Sequence, residues 1–285
     1  MSEFTDGYYQ SSDGLRLFYR DFHSQSENDL DPVICLPGLT RNSRDFEDLA
    51  SLLSKRRRVI TTDLRGRGRS EHDPDRNNYH PAQYVADIWI LLEQLGMPKV
   101  AVVGTSLGGL MIMGMAHARS SAISAAVMND IGPEIDPVGV ARVVAGAGTL
   151  LPVASWDEAV EQVSKFYAHA FPDWSQSKWR KFTHTTYQQT KDGGFDIRLD
   201  RNIGVAAREG VSGPAHDPWQ LFDALLSTPL LVIRGGDSDI LSAATLEKMQ
   251  QRKTDLMTVI VPNRGHAPNL DEPEAIDAIE KFLDA

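Results

Sequence analysis

Short apolar runs and stretches of helical spacing alternate along most of this chain. Residues 15–22 alternate apolar and polar side chains after the turn signal Ser12-Asp13-Gly14, which predicts an antiparallel strand. The runs 32–36, 58–62, 100–103, 123–128, 230–233 and 257–261 are compact and rich in β-branched residues, as expected of parallel strands buried on both faces. Between them, Phe46, Leu49, Leu52 and Leu53 share one helical face, and Tyr84, Ile88, Leu91, Leu92 and Leu95 share another. The second pattern stops at Gly96 with Pro98 just beyond, a helix-ending signal. Residues 110–118 and 275–283 predict two more helices. Strand and helix in alternation imply a doubly wound α/β sheet with right-handed crossovers. The alternation fails from 132 to 226, a stretch that holds four of the five tryptophans and two helical patterns, 156–169 and 174–189. It predicts a helical cap inserted between the sixth and seventh sheet strands, with 1–131 and 227–285 forming the core.

Composition narrows the partners. A formal net charge of -10 repels nucleic-acid phosphates and anionic lipid. No apolar stretch approaches the roughly 18 residues of a membrane span. The opening residues lack the basic and apolar regions of a leader peptide, so the expected location is cytoplasmic. The single cysteine, Cys35, lies in an apolar run and reads as a buried strand thiol. The expected partner is a small-molecule substrate, and the sequence leaves a homodimer open.

The chemistry gathers around Gly104-Thr105-Ser106-Leu107-Gly108, which follows a strand run and opens a helical one. A G-x-S-x-G turn in that context lets a serine occupy a strained backbone position with its hydroxyl exposed, as a nucleophile requires. The Leu107 N–H, at the helix N-terminus, is then placed to receive a developing oxyanion. In this arrangement the base comes late in the chain, and His266 alone among the histidines lies in the loop beyond the last strand run. Its preferred carboxylate partner is Asp130, which follows the run 123–128, with Asp239, which follows 230–233, as the open alternative and Asp237 a weaker third choice. Asp63-Leu64-Arg65-Gly66-Arg67-Gly68-Arg69-Ser70 is basic enough to suggest phosphate binding, but glycines so spaced favour a tight structural loop.

These segments together resemble the α/β-hydrolase superfamily over about residues 10 to 284: the Pro37-Gly38 loop, the Asp-x-Arg-Gly-x-Gly-x-Ser stretch, the elbow at Ser106, the acids after the strands and the late Gly265-His266. Within it the chain is similar to capped esterases, lactonases and carbon–carbon bond hydrolases, including the hydrolases of ring-cleavage products and of acetamidomethylene succinate. The resemblance implies a mostly parallel eight-stranded sheet and makes the Leu39 N–H the second oxyanion donor. Pro37 replaces the histidine common before the loop glycine, but the donor is a backbone group. The family's usual loop after strand seven places its aspartate three residues past the first glycine and four before a Pro or Ser. Both counts land on Ser238. Some members take the acid after strand six instead; haloalkane dehalogenases do so, but with an aspartate nucleophile where this chain has Ser106.

The expected activity is cleavage of a small or medium ester, lactone or ring-cleavage product through an acyl-enzyme. Neither metal nor organic cofactor is implied: zinc-type His/Cys spacing and a dinucleotide fingerprint are absent from the sequence. Arg142 or another cap arginine would steer a substrate carboxylate. Two other readings stay open, a non-hydrolytic member of the fold (cofactor-free dioxygenase or perhydrolase-type haloperoxidase) and a ligand-binding receptor. Turnover of p-nitrophenyl acetate or butyrate separates them.

Overall fold

The structure is a computed structural model that describes residues 4–26, 30–210 and 216–284. Met1, Ser2 and Glu3, on which the leader expectation partly rests, and 211–215 of the expected cap lie outside the described residues. The strands are β1 (Phe4–Gln10), β2 (Arg16–Phe22), β3 (Val33–Leu36), β4 (Val59–Thr62), β5 (Val100–Thr105), β6 (Ile123–Asn129), β7 (Tyr187–Gln189), β8 (Phe195–Ile197), β9 (Leu230–Gly235) and β10 (Met257–Val261). The helices are α1 (Glu47–Leu53), α2 (Pro81–Gln94), α3 (Leu107–Arg119), α4 (Pro137–Gly146), α5 (Trp156–Tyr167), α6 (Gln176–Thr186), α7 (Asn202–Arg208), α8 (Pro218–Asp223), α9 (Ala243–Arg252) and α10 (Pro273–Leu283).

Eight strands form one sheet in the order β1-β2-β4-β3-β5-β6-β9-β10. β2 runs antiparallel to both β1 and β4, and the other pairings are parallel. β3 and β4 are buried throughout because helices cover both faces of the sheet. On one face Tyr84, Ile88, Leu91 and Leu92 of α2 pack with Met111, Ile112 and Met115 of α3. On the other, Leu49 and Leu53 of α1 and Ile279 and Phe282 of α10 close the second layer. Truncating a fully buried aliphatic such as Ile88 is worth about 2–5 kcal/mol of stability.

Two features depart from the hydropathy pattern. β1, the eighth strand, is an edge strand with mostly exposed residues, so it carries no buried run to notice. β10 lies at the opposite edge, where Met257 and Ile260 are exposed rather than buried on both sides.

Among the described residues, the chain between β6 and β9 adds no strand to the main sheet. It holds α4 to α8 and the small antiparallel pair β7–β8. The helical pattern read through residue 189 ends at Thr186, because the chain turns at Lys191-Asp192-Gly193-Gly194 and Tyr187–Gln189 pairs back on Phe195–Ile197. Phe171 and Trp174 stack at 3.7 Å, and Trp179 and Phe182 meet them edge-on. These rings belong to the same apolar core as α2 and α3, so the insertion is packed on the sheet domain and not tethered beside it.

Candidate active site

The elbow forms as its spacing requires. β5 ends at Thr105, α3 begins at Leu107, and Ser106 between them has φ 52°, ψ -112°, a region costly for a residue with a Cβ. The glycines make the turn possible. A Cβ on Gly108 would stand 2.1 Å from the Leu36 carbonyl oxygen, and one on Gly104 2.4 Å from the Gly108 backbone. The turn is tight enough that only hydrogen fits there.

His266 comes from the loop between β10 and α10, and its Nε2 lies 2.8 Å from Ser106 Oγ. Its Nδ1 lies 2.7 Å from Oδ2 of Asp130. Asp130 follows β6, is fully buried, and has φ 58°, a second strained position. The Gly235 N–H donates to its Oδ1 at 2.9 Å, and the Ser238 hydroxyl donates to Oδ2 at 2.7 Å. A buried carboxylate needs such donors to offset lost hydration.

Of the two aspartates left open by the sequence, only Asp130 reaches His266. Asp239 is bound at both oxygens by Arg142 of α4, at 2.7 and 2.8 Å. That ion pair holds its carboxyl below its ordinary value of 3.8. Asp237 is exposed. Arg142 is likewise not free to steer a substrate carboxylate, because Asp239 occupies its fork.

Leu39 and Leu107 both border Ser106, and among the described residues neither N–H has a protein acceptor. The Leu39 carbonyl, by contrast, is fixed. Arg67 donates to it from Nε at 2.9 Å, and its other nitrogens reach the Arg65 carbonyl and the Tyr84 hydroxyl at 2.7 and 3.2 Å. Arg65 is buried against Asp73 and Asp87. The basic stretch 63–70 therefore spends two of its cations inside the protein, Arg65 and Arg67, and holds the Leu39 loop in place.

A pocket of about 110 Å³ opens over Ser106. Its walls combine Gly38, Leu39 and Thr40 with Val143, Phe166, Tyr167, Phe171 and Phe182 of the insertion. The insertion is also tied to the histidine loop. The Gly265 N–H donates to the Ala170 carbonyl at 3.0 Å, and Arg264 bridges Asp173 and Glu272 at 2.7 and 2.8 Å.

Several contributors were not legible in the sequence. Asn129 donates from Nδ2 to the Pro268 carbonyl at 2.8 Å, tying β6 to the histidine loop. Arg41 enters the pocket wall paired with Asp45. Ser238 was visible as an oddity in the aspartate slot, but nothing in one dimension shows that its hydroxyl supports the aspartate that replaced it.

Comparison with known proteins agrees with this architecture. Residues 31–273 match the family model described as alpha/beta hydrolase fold. The 3-hydroxybutyrate-oligomer hydrolase of Cupriavidus necator is 34% identical over 258 residues, covering 88% of this chain and 87% of that protein. The 2-(acetamidomethylene)succinate hydrolase of Mesorhizobium japonicum is 29% identical over 253 residues, 87% and 86% of the two chains. A solved structure of an alpha/beta hydrolase from Novosphingobium aromaticivorans, 42% identical, superposes with a TM-score of 0.93 over 100% of this chain and 99% of its own. Family model, relatives and architecture converge: the chain belongs to the α/β-hydrolase fold family and is one of its hydrolases.

Proposed function

We propose that this hydrolase cleaves a small or medium carboxylic ester through a covalent acyl-enzyme on Ser106. The observation that carries the reading is the unbroken hydrogen-bond chain Ser106–His266–Asp130, whose first two members line the pocket. In this mechanism His266 Nε2 accepts the hydroxyl proton as Ser106 Oγ attacks the ester carbonyl carbon. The oxyanion that forms accepts hydrogen bonds from the Leu39 and Leu107 N–H groups. Collapse of that intermediate breaks the carbon–oxygen bond, and His266 returns the proton to the departing alcohol. A water then gives a proton to His266 and attacks the acyl carbon; the bond from that carbon to Ser106 Oγ breaks, His266 returns the proton to Oγ, and the acid leaves. Asp130 keeps the imidazole in the productive tautomer and stabilises its cation.

Support for an ester over other carbonyl substrates comes from the relative named for 3-hydroxybutyrate oligomers and from the predominantly apolar walls around Ser106. The insertion acts as a cap in this reading, since its aromatic side chains roof the pocket. The test is hydrolysis of p-nitrophenyl butyrate by wild type and Ser106→Ala. Expected is a loss of several orders of magnitude in the variant. Retention of more than about a tenth of the rate would remove Ser106 from the reaction.

A further inference from the structure

Each side chain of the pocket wall that carries, or can acquire, positive charge has a carboxylate of its own. Arg41 is bound by Asp45 at 2.7 and 2.6 Å, and burial, which alone would weaken its hold on the proton, is more than offset by that pairing. His266 has Asp130. Arg142 has Asp239, through Nε and one terminal nitrogen at once. That is the same planar fork a guanidinium would present to a carboxylate ligand, and here it is consumed within the protein. His169, of the insertion, feels the charges of both Arg142 and Asp239. Desolvation, then Arg142, pull its pKa below the ordinary 6.5.

The third pair is built into the way the insertion docks. α4 sits directly on the loop after β9: a Cβ on Gly139 would lie 1.9 Å from the Asp239 carbonyl oxygen. The Asp136 N–H, just before α4, donates to the Ile240 carbonyl at 3.0 Å. Arg142 stands one turn along from Gly139, so this seating places its guanidinium over the Asp239 carboxylate. Both side chains remain partly open, 34% and 39% exposed, and Arg142 is one of the residues that line the pocket. The same lining carries the apolar side chains of Val143, Phe166 and Phe171.

We propose that Asp239 is a specificity determinant: by neutralising Arg142 it makes the Ser106 pocket select esters whose pocket-filling group carries no carboxylate. The inference rests on the ester-hydrolase reading. It gives a role to the aspartate that does not reach His266.

The experiment compares two esters of equal chain length, p-nitrophenyl pentanoate and the mono-p-nitrophenyl ester of glutaric acid, after subtraction of spontaneous hydrolysis. In parallel, calorimetry measures binding of the inert analogues pentanamide and glutarate monoamide. Wild type is expected to favour the neutral member in both assays. Asp239→Asn should raise the anionic-to-neutral ratio more than twofold and up to about fivefold, the scale of one partly exposed ion pair. Adding Arg142→Gln to that variant should return the ratio to the wild-type value. Equal handling of both members by wild type, or a ratio that Asp239→Asn leaves within twofold, overturns the inference. If neither ester turns over, the hydrolytic reading of Ser106 falls, and the amide-binding ratios still decide the role of Asp239.

Discussion

The loops after β6 and β9 leave neighbouring, paired strands, and each offers an aspartate near the pocket. They treat those aspartates in opposite ways. Asp130 is fully buried, sits at φ 58°, and is held by the Gly235 N–H, the Ser238 hydroxyl and His266. Asp239 is 39% exposed, and among the described residues its one side-chain hydrogen-bonding partner is Arg142. A carboxylate buried among fixed donors is pre-organised toward one imidazole nitrogen, and water does not compete for it. A half-exposed carboxylate in an ion pair is screened and can exchange partners. In the proposed mechanism the difference separates a group that aligns a base from one that offsets the charge of Arg142.

The sharpest way to break this contrast is at the buried member. Asp130→Asn keeps size but removes charge, and the expected cost is on the order of 10⁴ in kcat/KM for a neutral ester, as wrong-tautomer substitutions can cause. Asp239→Asn, measured on the same ester, should cost less than about tenfold, the loss of one screened pair. Comparable losses for the two variants would erase the distinction.

A smaller but more telling effect comes from moving the acid between loops. Ser238 Oγ stands 2.7 Å from Asp130 Oδ2, the oxygen that His266 Nδ1 also meets at 2.7 Å, so a longer acidic side chain at 238 would start beside the same imidazole nitrogen. Placing Ser238→Asp in the Asp130→Asn background should recover about tenfold or more of the lost rate, the worth of one charged hydrogen bond. No recovery would mean that the β9 loop cannot present a carboxylate to His266 even when supplied with one.

Next comes the support of Asp130 itself. Ser238→Ala removes one of its donors while Gly235 keeps the other, and roughly a tenfold fall in kcat with little change in KM is expected. A change confined to KM would place Ser238 in substrate binding instead.

The smallest expected effect is on stability, at the exposed member. Arg142 lowers the Asp239 pKa in the folded state, so the folded protein binds fewer protons there than the unfolded chain does. The pair's stabilisation is therefore complete above the unfolded value near 3.8 and is lost as pH falls through the lower folded value. Solvent screening limits it to about 1 kcal/mol or less. Urea unfolding of wild type and Asp239→Asn between pH 6 and 3 should show a gap that closes toward the acid end. A gap constant with pH would assign the difference to something other than the pair.

Much of this molecule is written in local pattern. The buried strands follow from compact β-branched runs, and the elbow follows from glycines that leave space where a Cβ would collide with Leu36 or Gly108. Ser106 and His266 could be singled out because each stands at a landmark in chain order, after one strand and after the last. The edge strand β1 escaped because its residues face solvent, and the β7–β8 pair because a few residues of hairpin follow a helix without a change of hydropathy. The choice between Asp130 and Asp239 lies beyond chain order altogether. It depends on which carboxylate the pairing of β6 with β9 buries against His266, and on where α4 sets Arg142 when it seats on Gly139. Spacing brings both aspartates to within a residue or two of a strand end; only packing in three dimensions assigns one of them to the histidine and the other to an arginine.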